Sequence, residues 1–385
     1  CHLPLTLDET HEHQGVPMKF SIAREVLITP LSQVIGVVEK RQTLPILSNV
    51  LLRLQQGRLE LTGTDLEVQL VASVGVDTQT EGAITVPARK LLDIFRLLPD
   101  HSEAMVELRD DRLAIRCGSS RFNLTTLPVD NYPAFDSGTT ELDLTLPSET
   151  LRMALDKTLF AMAQLDVRYY LNGLLLDFEG STLRTVASDG HRLAMFQEVM
   201  ATSFNSNRQI IVPRKGILEL YRLLGDADET VDIQISPNTI RVNLGTVSFS
   251  AKLIEGRFPD YQRVMPRELN SSYRIEKDAF KGALSRVSVL TAEKQKSISL
   301  EVAAEEGVMT LKSQNAEHEE AEERLEIDVQ GGDVSVGFNA GYLLEAIGHA
   351  DAEHVRLSFT EAANSCLIED VVDQRFKYVV MPMRL

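Results

Sequence analysis

The chain has 385 residues, of which 43% are apolar and 25% charged, a balance typical of a folded protein with two or three domains. Its net charge of −17 excludes a protein that coats nucleic acid with its whole surface. Any DNA contact must therefore come from a segregated basic face. No apolar run approaches the roughly 18 residues that a membrane-spanning helix needs.

The cysteines and the first 17 residues give two further indications. After Cys1 only Cys117 and Cys366 remain, too few for a disulfide framework, which fits a reducing cytoplasm. Residues 1–17 have no signal-peptide pattern and precede Met18, so we expect them to be an added remnant or a misassigned start.

Three segments of the chain begin with the same pattern, a short strand followed by an amphipathic helix. Strands are predicted at 20–22, 144–146 and 273–275, and helices at 23–38, 148–162 and 277–290. In the second helix Leu151, Leu155 and Leu159 recur at helical spacing, and Ser148 is the predicted N-cap. Strand-like runs follow each helix, at 49–54, 173–178 and 298–302, and predict antiparallel hairpins.

Two further landmarks recur in the same order. Val86, Val212 and Val336 begin equivalent strand-helix units and are 126 and 124 residues apart. The run at 126–133 is echoed at 254–261 and more faintly at 380–383. An internal repeat of this kind predicts three domains, 18–140, 141–268 and 269–385. The alternative is weak duplication within one large enzyme domain.

The element order within each repeat predicts the fold class. A strand, a helix, several strands, a second helix and several more strands favour antiparallel sheets with helices on one face, an α+β arrangement. Unpaired sheet edges in such a fold invite association between sheets.

Basic residues concentrate on the exposed faces of the second helices. In the first repeat the predicted buried stripe is Leu91, Leu92, Phe95 and Leu98, which leaves Lys90, Asp93 and Arg96 outward. In the second repeat Ile217, Leu218, Leu220, Tyr221 and Leu224 form the stripe, with Lys215, Glu219 and Arg222 outward. In the third, Glu345 and His349 break the pattern. Solvated surface lysines and arginines are the alternative to a basic wall.

Seven motifs make the sequence similar to the bacterial β sliding clamp family from residue 18 to the end. They are TLPILSN at 43–49, TGTDLE at 62–67, VPARK at 86–90, DVRYYLNG at 166–173, SDGHRL at 188–193, GRFPDY at 256–261 and YVVMPMRL at 378–385. The resemblance implies three tandem clamp domains with the processivity fold, helices lining a central hole and antiparallel sheets outside. It also implies a homodimeric ring in the cytoplasm that encircles double-stranded DNA without sequence preference.

The resemblance and the basic faces together predict the DNA contacts. The residues expected to contact DNA are Arg41, Lys90, Arg168, Tyr169, Tyr170, Lys215 and Arg222. The tyrosines offer a ring face or a hydroxyl near a passing strand, with simple packing as the alternative. Leu165 stands where relatives often carry polar residues, which argues against a DNA contact there.

The predicted subunit interface joins the first domain to the third domain of a second copy. Its residues are Arg112, Arg116, Arg121, Phe122 and Leu124 on one side and Val289, Leu290, Glu317, Glu319, Glu320 and Glu323 on the other. A solvated acidic loop at 317–323 is the alternative, because exposed ion pairs contribute only about 0–1 kcal/mol each.

The resemblance also implies a peptide-binding pocket where the second and third domains meet. Its predicted residues are Leu171, Gly190, His191, Arg192, Leu193, Pro259, Arg263, Val264, Ala363, Ser365, Val379, Met381, Pro382, Met383, Arg384 and Leu385. The replicative polymerase, the clamp loader and other proteins that carry a clamp-binding motif would insert leucine and phenylalanine anchors there. Methionines that serve only as core fillers are the alternative.

The sequence carries no common catalytic or metal-binding signature, so neither a cofactor nor a metal is expected. The best catalytic candidate, His191 between Asp189 and Arg192, lies in an Asp-Gly turn without a second candidate group nearby. We therefore expect a protein without catalytic activity, and the family resemblance implies that it is a processivity factor. The principal alternative is a monomeric multi-domain protein-binding module that does not encircle DNA.

Overall fold

The computed structural model describes residues 18–39, 44–136, 138–225, 230–291, 296–360 and 365–383. Their elements follow one order three times: a strand, a helix, a group of strands, a second helix and three strands. The predicted α+β class and the three repeats are therefore confirmed. The described chain divides into two compact units, one reaching Asp136 and including Asn243–Ser250, the other comprising the remaining residues. None of its helices has the length and apolar character needed to span a lipid bilayer.

Among the residues that the structure describes, the first repeat contains two α-helices and nine strands. In β1, Phe20 and Ile22 are buried, and α1 contains Pro30 and ends at Val34, four residues before the predicted end. The predicted stripe of α2 is confirmed. The elements are β1 (Lys19–Ala23), α1 (Arg24–Val34), β2 (Asn49–Gln55), β3 (Arg58–Thr64), β4 (Val68–Gly75), β5 (Asp77–Thr80), β6 (Gly82–Pro87), α2 (Ala88–Leu97), β7 (Glu103–Arg109), β8 (Arg112–Cys117) and β9 (Ser120–Thr125).

The sheets of the first repeat are antiparallel. One has the order β5-β1-β7-β8-β9, and another contains β4-β3-β2-β6. Strand β9 thus lies at the edge of its sheet, next to β8.

The second repeat corrects two expectations. Ser148 is not the N-cap: Pro147 precedes the helix, and the buried Ser148 hydroxyl has no hydrogen-bond partner among the described residues. Leu218 is 40% exposed rather than part of the buried stripe, whereas Ile217, Leu220 and Leu224 are buried. The elements are β10 (Leu142–Pro147), α3 (Ser148–Asp156), β11 (Gly173–Glu179), β12 (Thr182–Ser188), β13 (Arg192–Val199), β14 (Arg208–Pro213), α4 (Arg214–Leu223), β15 (Thr230–Ile235), β16 (Thr239–Leu244) and β17 (Val247–Lys252).

The third repeat shares a sheet with the second. The elements are β18 (Ser271–Glu276), α5 (Lys277–Val287), β19 (Ser297–Ala303), β20 (Val308–Gln314), β21 (Glu320–Glu326), β22 (Asp328–Gln330), β23 (Val334–Asn339), α6 (Ala340–Gly348), β24 (His354–Phe359), β25 (Cys366–Asp370) and β26 (Phe376–Val380). A nine-stranded sheet has the order β14-β11-β12-β13-β26-β25-β24-β18-β22, and a four-stranded sheet has the order β21-β20-β19-β23. The two repeats are joined where β13 pairs antiparallel with β26, from Arg192 opposite Val380 to Phe196 opposite Phe376.

Gly173 at the start of β11 lies against its neighbours so closely that no side chain fits. A Cβ atom there would approach the Val212 carbonyl oxygen to 2.5 Å and the Ile211 Cγ2 atom to 2.9 Å.

The Gly173→Ala variant should lose about 1–3 kcal/mol of unfolding free energy, because the backbone of β14 must move. Urea denaturation measures the loss. Gly75→Ala, at a strand glycine with open space around it, is the matched control. Its unfolding free energy should stay within about 0.5 kcal/mol of the wild-type value.

Candidate binding sites

A buried apolar cluster lies beneath the junction of β13 and β26. Its buried members are Ala163, Leu171, Leu175, Val186, Leu193, Met195, Ile211, Phe258, Tyr261, Leu367 and Val379. Val264 and Met381 are partly buried and pack against it. The structure thus brings together five of the predicted pocket residues, drawn from segments on both sides of the junction.

A cleft of about 690 Å³ opens beside this cluster. It is lined by Arg263, Val264, Met265, Pro266, Arg267, Ser365 and Met381. The volume lies within the range of roughly 300–1,000 Å³ that is usual for ligand pockets. Sequence reasoning missed Met265, Pro266 and Arg267. Their position directly after Arg263 and Val264, which were predicted, was the available signal.

The turn at 189–192 forms another part of this region. The Asp189 carboxylate accepts hydrogen bonds from the backbone N–H groups of His191 (2.9 Å) and Arg192 (3.1 Å). Gly190 has a φ of +87°, in the left-handed region that favours glycine. The carbonyl oxygen of His191 accepts a hydrogen bond from the Met381 N–H at 2.9 Å, which ties the turn to the segment after β26.

The Arg192 side chain is 10% exposed, and its guanidinium contacts several neighbouring groups. Its Nε donates to Asp189 at 3.1 Å, and its guanidinium also forms an ion pair with Glu345 on α6. One amino group donates to the Phe160 carbonyl oxygen at 2.9 Å. The guanidinium carbon lies 4.6 Å from the Tyr342 ring centroid. Sequence reasoning named Arg192 but none of its partners outside the turn.

The other predicted pocket residues differ in exposure. Ser365 is buried, Met383 is half-buried and donates from its N–H to the Gly337 carbonyl oxygen at 2.8 Å, and Arg263 pairs with Asp260 at 3.0 Å. Gly190, His191, Pro259 and Pro382 are exposed. Ala363, Arg384 and Leu385 lie outside the described residues.

Three residues predicted to contact DNA lie next to the pocket turn. Arg168 donates from Nε to Asp166 at 3.0 Å, and this pairing lowers the pKa of Asp166 to about 2. The same guanidinium donates to the Asp189 carbonyl oxygen at 3.2 Å. Tyr169 is exposed and contacts Tyr170 edge-on at 5.8 Å, while Tyr170 packs against the buried cluster. The predicted DNA and peptide residues therefore adjoin in this region.

The remaining predicted DNA contacts lie on α2 and α4. Lys90 is exposed in the first turn of α2. Lys215 is half-buried at the start of α4, and Arg222 is exposed near its end, with its Nε 2.9 Å from a Glu219 carboxylate oxygen. Arg41 lies outside the described residues. Leu165, by contrast, is 93% exposed.

The predicted interface residues lie on or near two sheet edges, one in each unit. In the first unit, Arg121 and Phe122 lie on the edge strand β9, and Arg121 is directly opposite Arg116 on β8. Leu124 is buried and Arg112 is exposed.

In the second unit the acidic residues lie on or next to β21, the edge strand of the four-stranded sheet. Glu317, Glu319 and Glu320 are exposed, and Glu323 pairs with Arg286 of α5 at 2.6 Å. Val289 is 78% exposed just after α5, and Leu290 is half-buried. Within the described residues, no group of three or more His, Cys, Asp or Glu side chains is arranged to hold a metal ion.

Comparison with known proteins gives consistent matches along the chain. Residues 18–136, 145–260 and 262–384 match the N-terminal, central and C-terminal domains of the DNA polymerase III beta subunit. The chain is 45% identical to the beta sliding clamp of Pseudomonas putida and 44% identical to that of Escherichia coli. Each match covers 96% of this chain and 100% of the relative.

Solved structures agree with the sequence comparison. The crystal structure of a DNA polymerase sliding clamp from Pseudomonas aeruginosa matches with a TM-score of 0.91 at 44% identity. That from Caulobacter crescentus matches with a TM-score of 0.90 at 38% identity. Both comparisons cover 96% of this chain and 100% of the other.

Tyr261 is expected to make the folding stability of the protein depend on pH in the alkaline range. Its hydroxyl donates to the buried Asp177 carboxylate at 2.8 Å, and burial together with that carboxylate raises the pKa of Tyr261 to about 12. An unfolded tyrosine titrates near 10, so the folded state retains a proton that the unfolded state releases. Stability should be unaffected by this group below about pH 10 and should fall as the pH rises toward 12.

The Tyr261→Phe variant should remove this part of the alkaline loss. It should also cost about 1–3 kcal/mol at neutral pH, because the buried Asp177 loses a hydrogen bond. Urea denaturation of both proteins from pH 7 to 11 measures the two effects. Parallel stability curves for the two proteins above pH 10 would contradict the assignment.

Proposed function

The chain belongs to the DNA polymerase III beta-subunit family, and from this premise we propose that two copies close head to tail into a ring around duplex DNA. The chain is a DNA sliding clamp, a non-catalytic processivity factor. It takes part in DNA replication with a DNA polymerase. The finer features proposed here are the ring, its position in the cytoplasm, domain borders after residues 140 and 268, and the residues that meet DNA and partners.

The observation that carries the ring is a pair of complementary sheet edges. The edge strand β9 carries Arg121, its neighbour β8 carries Arg112 and Arg116, and the edge strand β21 of another sheet carries glutamates. Like charges directly opposite each other are unfavourable, so Arg116 and Arg121 are stabilised when an acidic strand approaches them. Because the two edges belong to different ends of the chain, two copies can pair β9 with the partner's β21 twice and leave neither of these two edges unpaired.

Apolar contacts complete the proposed interface. The exposed Val289 and the half-buried Leu290 pack against Phe122 and Leu124 of the second copy. Burial of such side chains contributes roughly 25 cal/mol per Å², whereas the surrounding ion pairs chiefly select the correct partner and register. The interface is therefore apolar at its centre and charged around it.

The Leu290→Asp variant should be monomeric, because the interface would then bury an unpaired carboxylate beside apolar side chains. Light scattering should give a mass near 42.9 kDa for the variant and near twice that value for the wild type. Val372→Asp, at another apolar residue that is 81% exposed, is the matched control and should remain dimeric. A dimer unaffected by Leu290→Asp would refute this interface.

The proposed DNA contacts are the cations of α2, α4 and the loop before β11. A clamp that slides needs contacts that are the same at every step, and phosphates provide them. Lys90, Lys215, Arg222 and Arg168 offer such contacts in a chain that is otherwise acidic, and Arg41 is proposed to join them. Tyr169 and Tyr170 would add a ring face or hydroxyl near the DNA backbone.

Charge reversal at Lys90 and Arg222 together should weaken DNA retention equally on all sequences. The slope of log affinity against log salt should fall in magnitude by about 1 for each phosphate contact removed. Retention on nicked circular duplex DNA at several salt concentrations measures the effect. Lys252→Glu, at an exposed lysine outside the proposed set, should behave as the wild type. DNA retention that does not depend on salt and is unchanged by the charge reversals would rule out the proposed DNA contacts.

The cleft at the junction of the second and third domains is proposed as the site for the polymerase, the clamp loader and other partners. Its buried floor offers apolar surface to leucine and phenylalanine anchors, and a few such anchors carry most of the affinity in peptide recognition. Met381 and Met265 adapt to different side chains because the methionine side chain is flexible. His191, Pro259, Arg263 and Pro382 would form its exposed rim.

Deletion of Arg384 and Leu385 should abolish binding of a polymerase-tail peptide and leave the dimer intact. The two residues follow Met383, which is anchored to Gly337, so the deletion spares the junction itself. Fluorescence anisotropy of a labelled peptide measures binding, and light scattering checks the mass. An unchanged peptide affinity in the truncated dimer would remove these residues from the pocket.

A further inference from the structure

A cavity of about 370 Å³ lies in the second unit, away from the residues predicted to bind DNA or peptides. Its walls come mainly from residues 208–211 of the edge strand β14 and from residues 253–258, which follow β17. We call it the β14 cleft. It shares no lining residue with the cleft beside Met381. Its volume falls within the range of roughly 300–1,000 Å³ that is usual for small-molecule sites.

The internal repeat indicates why a cavity lies at this place. In the first repeat, Thr85 of β6 and Leu127 exchange two backbone hydrogen bonds, at 3.3 and 3.1 Å, and the Thr85 hydroxyl donates to the Leu127 carbonyl oxygen at 2.9 Å. Ile211 takes the place of Thr85 in the second repeat, by the spacing that aligns Val86 with Val212.

The equivalent segments of the second repeat are joined by fewer hydrogen bonds. Ile211 accepts from the Ile254 N–H at 2.9 Å, but among the described residues its own N–H makes no return bond to Ile254. Isoleucine also lacks the hydroxyl that Thr85 uses. Two residues further on, Gly256 has a φ of +124°, a conformation that favours glycine. The two segments are therefore held together less closely than in the first repeat, and the cleft lies between them.

The floor of the β14 cleft is apolar. Leu175, Ile210, Ile211 and Phe258 line it and are buried in the fold. A floor of this kind binds the apolar body of a ligand, because contact removes apolar surface of both from water. The cleft therefore favours a ligand with an aromatic or branched apolar group.

Arg208 supplies the polar group of the cleft. Its Nη2 pairs with a Glu141 carboxylate oxygen at 3.1 Å and donates to the Pro237 carbonyl oxygen at 3.4 Å. Its Nε is buried and has no hydrogen-bond partner among the residues that the structure describes. Buried donors in proteins nearly always have an acceptor, so this N–H marks a place where a ligand acceptor would bind. A carboxylate is the acceptor that a guanidinium binds most strongly.

We propose that the β14 cleft binds a small organic carboxylate with an apolar body. The carboxylate accepts a hydrogen bond from Arg208 Nε, and the body packs against Leu175, Ile211 and Phe258. At the rim, the exposed Arg257 and Glu255 carry opposite charges, so the buried N–H sets the preference for an anion. The proposal does not depend on the ring or on the peptide pocket. It adds a small-molecule site to a chain whose other proposed partners are DNA and proteins.

The test titrates the full chain, isotopically labelled in its isoleucine, valine and methionine methyl groups, with two probes at pH 7. The first is 3-phenylpropanoate and the second is its neutral counterpart, 3-phenylpropanamide. The acid should shift the methyl resonances of Ile210, Ile211 and Ile254 in a saturable way, with a Kd on the order of 1 mM. The amide should bind roughly tenfold more weakly, because a hydrogen bond to a charged acceptor is the stronger one.

Two variants separate Arg208 from a general effect of losing an arginine. Arg208→Met removes the buried N–H and should raise the Kd of the acid roughly tenfold, with a much smaller effect on the amide. Arg274→Met is the matched control, because Arg274 pairs with Asp328 at 3.8 Å and does not line the cleft. Its affinity for the acid should stay within about twofold of the wild type.

The absence of a saturable shift at the three isoleucine methyl groups would overturn the proposal. Equal affinities of the acid and the amide, or wild-type affinity for the acid in Arg208→Met, would do the same. Shifts centred on Val264 and Met381 would place the probe in the cleft beside Met381 and would also overturn it. If Arg208→Met does not fold, the comparison of the two probes on the wild-type chain still decides.

Discussion

The structure around the proposed pocket depends on the pairing of β13 with β26. This antiparallel ladder makes one nine-stranded sheet from two repeats and brings chain segments almost two hundred residues apart into register. Because Arg192 is opposite Val380, the next residue, Met381, meets the turn that precedes β13. A slip of one residue would turn Val379 from the buried cluster to the opposite face and dismantle the pocket floor.

Basic and acidic residues are concentrated in different parts of the fold. An excess of acidic residues keeps most of the surface unattractive to DNA, so the few cations on α2, α4 and the loop before β11 stand out. Arg121 on β9 and the glutamates of β21 lie on edge strands, where backbone hydrogen-bonding groups are also available, and the arginines of β8 lie on the strand next to that edge. Helix α6 carries neither kind of patch, and its Tyr342 and Glu345 instead contact Arg192 at the pocket turn.

Periodic features of the fold could be predicted from the sequence. The stripe of Leu91, Leu92 and Phe95 follows the 3.6-residue period, and the fixed spacing of three landmarks indicated three domains. Failures came where tertiary contacts override local preference. Ser148 resembles an N-cap, but Pro147 supplies the cap position and the serine is buried. Leu218 fits the stripe by spacing but lies 40% exposed, next to a cleft beside α4.

Long-range polar contacts could not be predicted. Arg192 and Glu345 are 153 residues apart, and no local pattern links them. The approach of Arg168 to the Asp189 carbonyl likewise depends on the folded path of two loops. The family resemblance supplied residues such as Leu171 and Val379 that the structure brings together, while Met265 and Pro266, directly after the predicted Val264, were overlooked.

The proposed ring holds DNA by topology rather than by affinity. The most direct measurement loads the protein onto nicked circular duplex DNA with a clamp loader and ATP, and then follows it by gel filtration before and after the circle is cut. A ring around the DNA should co-elute with the intact circle and be released once the DNA is linear. Equal retention on both forms, or equal loss from both, would contradict it.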